Sequence, residues 1–321
     1  MAGWVGNVIT LVDQWMNSMC VTTVAMEKKA KCKVARSLVM LILFCLSVNS
    51  ASVAEELLIR HIRPEGVLDK RSDYYIALLT LALEKTQVKY GEFHLEMNEK
   101  SMLQARALLS VAKKQFIDVV WTMTSKDREA ALLPVRIPLL KGLLGYRIFI
   151  IKKQDKGKFG RVQTLEGLSE LVAGQGLDWP DVSILRANDL TVVVGASYDG
   201  LFRMLSAGRF DYFPRGMNEP RREVKAHKGR GFIVEDSLLL KYPAPIYFFV
   251  HKANTVLAKR IKEGLLLAIQ DGSFDSLFYE HPANKGIFKL TNIKNRKVFE
   301  LRNPLLPAET PLDDHRLWHL P

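Results

Sequence analysis

Cysteine is scarce in this 321-residue chain: Cys20, Cys32 and Cys45 are the only three, and all precede residue 55. From residue 55 onward, disulfides, thiol catalysis and zinc-thiolate sites are therefore excluded. Phosphate-cradling loops are missing as well. No G-x-x-x-x-G-K-[ST] occurs, and no G-x-G-x-x-G follows a strand-like run. Gly195–Gly200 reads G-x-S-x-x-G, one residue too long for a nucleophile elbow. Long hydrophobic runs are short of what a bilayer needs: Leu38–Val48 has 11 residues, against about 20 for a spanning helix. Aromatics are absent from the basic stretch Arg221–Arg230, where Arg221, Arg222, Lys225, Lys228 and Arg230 face only Glu223. That stretch reads as a solvated loop, with no nucleic-acid partner.

What is present begins with an export pattern. From Met26 a basic segment, Glu27–Arg36, precedes the apolar run, and Ser52-Val53-Ala54 supplies small residues for cleavage. Residues 1–25 do not fit this pattern, and Met26 is the expected start. Phe44 precedes Cys45, so the small residue that a lipidated cysteine requires is absent. The formal charge is +12 overall, and setting aside the +3 of the first 54 residues leaves +9. Such a balance favours anionic ligands or surfaces through its long-range field. At the far end His315 and His319 have i, i+4 spacing and Asp313 adjoins Asp314; both pairs read as incidental to a solvated tail.

Between these ends the periodicity predicts an α/β fold. Glu56–Ile62 and Tyr90–Met97 read as strands. A helix capped by Ser72 or Asp73 buries Tyr75, Leu78, Leu79, Ala82 and Leu83, and another opens at Asn98 with Met102, Ala105, Leu109 and Ala112 on one face. Strand, helix, strand, helix, strand leads into Trp121 and indicates a mostly parallel sheet. Later, Leu165–Val172 reads as a helix stopped by Gly174, followed by strands at Leu190–Val194, Arg209–Phe213 and Tyr242–Val250. A long helix capped by Asn254 then carries Leu257, Ile261, Leu265 and Ala268 inward. No internal repeat or low-complexity tract is found.

Ile117–Lys153 carries the densest chemistry. Two apolar strands, Ile117–Trp121 and Tyr146–Ile151, flank a polar turn bearing Thr122, Thr124, Ser125 and Arg128. Hydroxyls with one guanidinium at a strand's C-terminal end make an anion trap without a nucleophile. Arg128 paired with Asp127 or Glu129 on a surface turn is the plain alternative. Tyr74, in the loop after the first strand, is either an aromatic wall of the same site or part of the core. Ser197 lies at a strand-to-helix turn, where it caps the helix and where free N–H groups favour an anion.

The run T-M-T-S-K-D-R, the proline-bearing segment after it and the apolar strand that follows resemble the first-lobe signature of bacterial type 2 periplasmic solute-binding proteins. The resemblance is to the polar amino-acid binding group, solute-binding protein family 3, and covers roughly residues 55–285. It implies two α/β lobes of mixed, mostly parallel sheets joined by two hinge strands. Lobe 1 would be residues 55–145 and 251–321, the tail packing along its surface, and lobe 2 residues 146–250, after an extension and signal over residues 1–54. It further implies a carboxylate held by Arg128 and by Ser197, no cofactor, a monomer in the periplasm, and an ABC permease or membrane sensor as partner. The family usually places an acidic residue for the ligand's ammonium where this chain has Arg215 and Gly216. Glu219 substitutes from nearby, or Arg215 meets a second acid group. The alternatives are a dehydratase on the same scaffold, with Glu219 or Asp211 as its acid, and a sensory binding module.

Overall fold

Two groups of strands, between which the chain passes more than once, position everything that follows. The structure, a computed structural model, describes residues 56–65 and 69–319, all within one unit, Glu55–Pro321. The expected extension, signal and cleavage site lie outside the described residues. In the first group β1 (Leu57–His61) runs parallel to β2 (Phe93–Met97), while β3 (Val119–Met123) and β4 (Leu133–Val135) flank β11 (Ile246–Val250) antiparallel on either side. VVWTM and IYFFV are buried at every position. Covered on both faces, they need no alternation of polar and apolar residues.

The second group is a seven-stranded mixed sheet. It contains β5 (Tyr146–Lys152), β6 (Ala173–Gly176), β7 (Val192–Gly195), β8 (Tyr212–Gly216), β9 (Phe232–Val234), β10 (Leu238–Lys241) and β12 (Lys297–Glu300). β5 is antiparallel to β8, β9 and β10, whereas β6, β7 and β8 pair in parallel. The strands expected as a hinge, 146–151 and 242–250, thus lie largely inside sheets. The crossings that lead into them are residues 136–145 and 242–245, and they touch. Tyr242 N–H donates to the Gly145 carbonyl at 3.1 Å, and a Cβ on Gly145 would fall 1.9 Å from the Tyr242 carbonyl oxygen.

The helix Thr255–Gln270 buries Leu257, Ile261, Leu265 and Ala268, as its spacing predicts, and packs on the helix Asp73–Lys85. Gly264 sits at their closest approach, with Ala82 backbone in the place of any side chain. The Asn254 side chain accepts from Leu257 N–H at 3.2 Å. Asn254→Ala is expected to cost about 1 kcal/mol, read as a lower urea midpoint with an unchanged slope. Among the described residues no helix is long and apolar enough to cross a membrane.

Four expectations differ. The helix Gln104–Ala112 buries Ala107, Ser110 and Val111 and leaves Ala105 and Leu109 exposed, because it turns Ala107 and Val111 onto a cluster with Ile117, Val120, Tyr247 and Phe249. Gly174 does not end a helix but belongs to β6. There the rings of Phe210 and Trp179 fill the space that side chains on Gly174 and Gly176 would need, so the strand has no β-branched signature. Residues Pro220–Ala226 are helical rather than loop, with Glu223 buried and His227 stacked 3.8 Å from the Phe202 ring. The tail does not stay with the first group: β12 pairs with β10 at the edge of the second sheet before the chain returns to Lys126 and Lys141.

Candidate functional site

Loops and strand ends from both groups line a half-open cavity of about 130 Å³. One aromatic wall comes from the first group, and Trp179 of the second group also lines the cavity. Tyr75, in the first turn of the Asp73 helix, stacks on Trp121 of β3 with centroids 5.7 Å apart. Beside it the segment before that helix carries Arg71. The Arg71 guanidinium donates to both oxygens of Asp69 at 2.8 Å and to Glu65 at 3.0 Å, and it lies 4.2 Å from the Tyr198 ring centroid across the cleft. Glu65 also crosses, accepting from the Tyr198 N–H at 3.2 Å. The first turn of the helix Tyr198–Ser206 is therefore engaged by a carboxylate of the chain itself. Burial works against the charge on Asp69, but its bonds from Arg71 outweigh this and hold it below the usual carboxylate range.

The second group supplies two more guanidiniums. Arg147 interrupts the apolar run of β5, pairs with Asp181 at 2.6 Å and donates to the Tyr242 hydroxyl at 3.0 Å. That hydroxyl in turn donates to Asp181. Arg215 of β8 is gripped by Glu223 and Glu219, each at 2.8 Å, and faces the ring of Trp179 at 5.0 Å. Burial alone would lower the pKa of Arg215; the two carboxylates overcome it and raise it. Burial pushes the Glu219 carboxyl up, opposed by Arg215, while Glu219 accepts from Gly216 N–H at 2.7 Å. The lining then holds Arg63, Arg71, Arg147 and Arg215 against Glu65, Asp69, Asp181 and Glu219. Among the described residues its formal charges cancel.

The residues designated from sequence are divided by this geometry. Thr122, Arg215 and Glu219 line the cavity. Thr124 is fully buried and donates to Glu129 at 2.6 Å, and Ser125 caps the helix Lys126–Ala131. Arg128 reaches toward the cleft but is not among its lining residues. One guanidinium nitrogen bonds Thr122 Oγ1 at 2.6 Å and the Met123 carbonyl at 2.8 Å; the other bonds Gln104 and, across the cleft, the Asp178 carbonyl at 2.9 Å. These bonds make it a strut between the groups, and burial lowers its pKa to about 10. Ser197 is exposed, accepts from Gly200 N–H at 3.3 Å and borders a separate small recess. Tyr74 turns into the core, where its hydroxyl donates to the Leu139 carbonyl at 2.8 Å, and the next residue, Tyr75, takes the wall position. Asp211 binds Val172 N–H at 2.9 Å and does not line the cavity.

Arg71, Tyr75, Trp121, Arg147 and Asp181 were not reached from sequence. Arg147 had a signal, since a charge inside an otherwise apolar strand is seldom buried without a partner. Arg71 had none: its partners Glu65 and Asp69 follow from no pattern of spacing.

No protein-family model matches this chain, and no curated protein matches it. Solved structures do. An ancestral arginine-binding protein bound to arginine is 19% identical over 69% of this chain and 96% of its own, with a TM-score of 0.52. A Salmonella typhimurium periplasmic binding protein described for high arginine specificity is 15% identical, over 69% and 97%, with a TM-score of 0.52. A histidine kinase sensor domain described as similar to periplasmic binding proteins is 14% identical, over 70% and 94%, with a TM-score of 0.51. At such identities the likeness establishes the fold: this chain has the two-lobed α/β fold of periplasmic binding proteins.

Proposed function

We propose that the protein binds a small amino-acid-like solute between its lobes and passes the closed state on to a membrane partner. The observation that carries this is the charge balance of a half-open cavity with a contribution from each lobe. A lining with four cations and four anions gives no net attraction to a simple anion. It suits a solute carrying both signs, the carboxylate toward Arg71 and the ammonium toward Glu219, the less buried members of the lining pairs. The volume of about 130 Å³ suits a compact solute, since a cavity of roughly 150 Å³ takes one benzene. Closure then uses solute contacts from both lobes to favour one state, with Arg128 as a strut rather than a ligand holder. The sensor domain among the similar structures makes a membrane sensor as good a partner as an ABC permease, and the periplasm is the compartment that suits both.

The test is a thermal shift of the purified protein with amino acids, and with matched carboxylates and amines that carry one charge only. A solute present at 100 times its Kd stabilises by about 2.7 kcal/mol, a rise in Tm of roughly 5–10 °C. The expected result is such a rise with a zwitterion, little with either single-charge analogue, and a reduced rise in Glu219→Gln. An equal response to a plain carboxylate, or none to any amino acid, sinks the reading. Conversion of the bound compound to product, seen by mass spectrometry, replaces it with the enzyme reading, for which Glu219 is the one acid at the cavity of the two considered.

A further inference from the structure

A second cavity, of about 410 Å³, adjoins the first and shares only Arg71, Tyr75 and Glu219 with it. Its charges do not cancel. Lys70, Arg71, Arg222 and Lys225 line it against Glu219 and Glu223, and both of those carboxylates are already held by Arg215. Arg71 already gives its Nε and Nη2 to Asp69 and Glu65. Arg222 donates to the Lys70 carbonyl at 3.1 Å and keeps only a loose approach of 3.5 Å to Asp73. Lys70 and Lys225 are exposed and form no ion pair with a described residue. The remaining lining is Tyr74, Tyr75, Tyr198, Asn218, Ala226 and Ala283. Three cations with spare donors around an aromatic floor match a solute with acid groups on an apolar body.

We propose that this second cavity binds a small organic dicarboxylate, its acid groups taken by Lys70, Arg222 and Lys225 and its hydrocarbon body lying against the tyrosine rings. Both lobes contribute, Lys70 from one and Arg222 and Lys225 from the other, so the dianion also ties the lobes together. The site accounts for a feature the zwitterion cavity leaves unused, a local excess of positive charge beside a neutral centre. It does not depend on the amino-acid reading.

Titration calorimetry of the purified protein with glutarate, at near-physiological salt, tests it. The expected result is saturable binding of one glutarate, weakened about tenfold in Lys70→Glu and in Lys225→Glu. Both are exposed side chains outside the central cavity, so unchanged urea midpoints and an unchanged amino-acid thermal shift are expected in both variants. Inorganic phosphate, which has the charge without the apolar body, is expected to bind more weakly. Absence of glutarate binding, equal binding in both variants, phosphate binding as tightly as glutarate, or mutual exclusion of glutarate and the stabilising amino acid each overturns the proposal. A protein that ignores every amino acid yet binds glutarate through these lysines loses the first reading and retains this one.

Discussion

Arg147→Ala is expected to destabilise the protein by about 3–5 kcal/mol, because removing one member of a buried pair leaves the other charge without compensation. The pair is sealed: the side chains of Arg147 and Asp181 are 3% and 4% exposed and 2.6 Å apart. Without the guanidinium the Asp181 carboxylate keeps the Tyr242 hydroxyl and no cation within the pair. Urea unfolding measures the loss as a fall in midpoint at constant slope. The double variant Arg147→Met with Asp181→Leu separates the cost of an orphaned charge from that of lost packing. It is expected to recover most of the stability, since exchanging a whole buried pair for apolar residues is often neutral. A loss under about 1 kcal/mol in the single variant would mean that water already solvates the pair as it does an exposed one.

Gly145→Ala is the second large effect. The new Cβ would lie 1.9 Å from the Tyr242 carbonyl oxygen and 3.3 Å from the Ala244 amide nitrogen. Both are backbone atoms, so no side-chain rotation relieves the contact and the two crossings must move apart. Overpacking of this kind costs about 1–3 kcal/mol, occasionally more. Here the strain falls where the lobes join, so solute affinity is expected to drop along with Tm. Gly157→Ala is the control. A Cβ there meets nothing within 4 Å, and the change in a helix is expected to be neutral or to stabilise by up to about 1 kcal/mol. Equal behaviour of the two variants would show that the crossings are slack and that Gly145 is not needed at the join.

The elements legible in the sequence are those whose own residues carry the signal. The helix Thr255–Gln270 has a capping Asn254 and an apolar stripe at helical spacing, and β3 and β11 are apolar at most positions; each was bounded to within a few residues. β6, by contrast, reads AGQG and is held as a strand by parallel pairing with β7 and by aromatic rings over its glycines. Nothing local announces it. The tail strand is similar: Lys297–Glu300 becomes a strand because β10 offers a free edge.

At the site, the resemblance led to Arg128 through the motif around it, and the geometry separates motif from role. Whether a guanidinium meets a solute or braces two lobes depends on which acceptors lie within about 3 Å, and for Arg128 these are Gln104, Thr122, Met123 and Asp178. Tyr74 and Tyr75 make the same point. They are adjacent in a helix, so they point about 100° apart, and only the docking of that helix decides which one enters the core.

The amino-acid sequence by itself determined the α/β class, the long capped helix, the absence of thiol chemistry after residue 54 and the excess of basic residues, because each is a property of composition or of spacing along one element. Only the tertiary structure decided which charges face one another. Coulombic and hydrogen-bonding partners at the cavity come from segments dozens of residues apart, such as Glu65 with Tyr198 and Arg147 with Asp181, and no short-range pattern encodes such meetings. The neutral central cavity and the cationic one beside it are consequences of that long-range pairing.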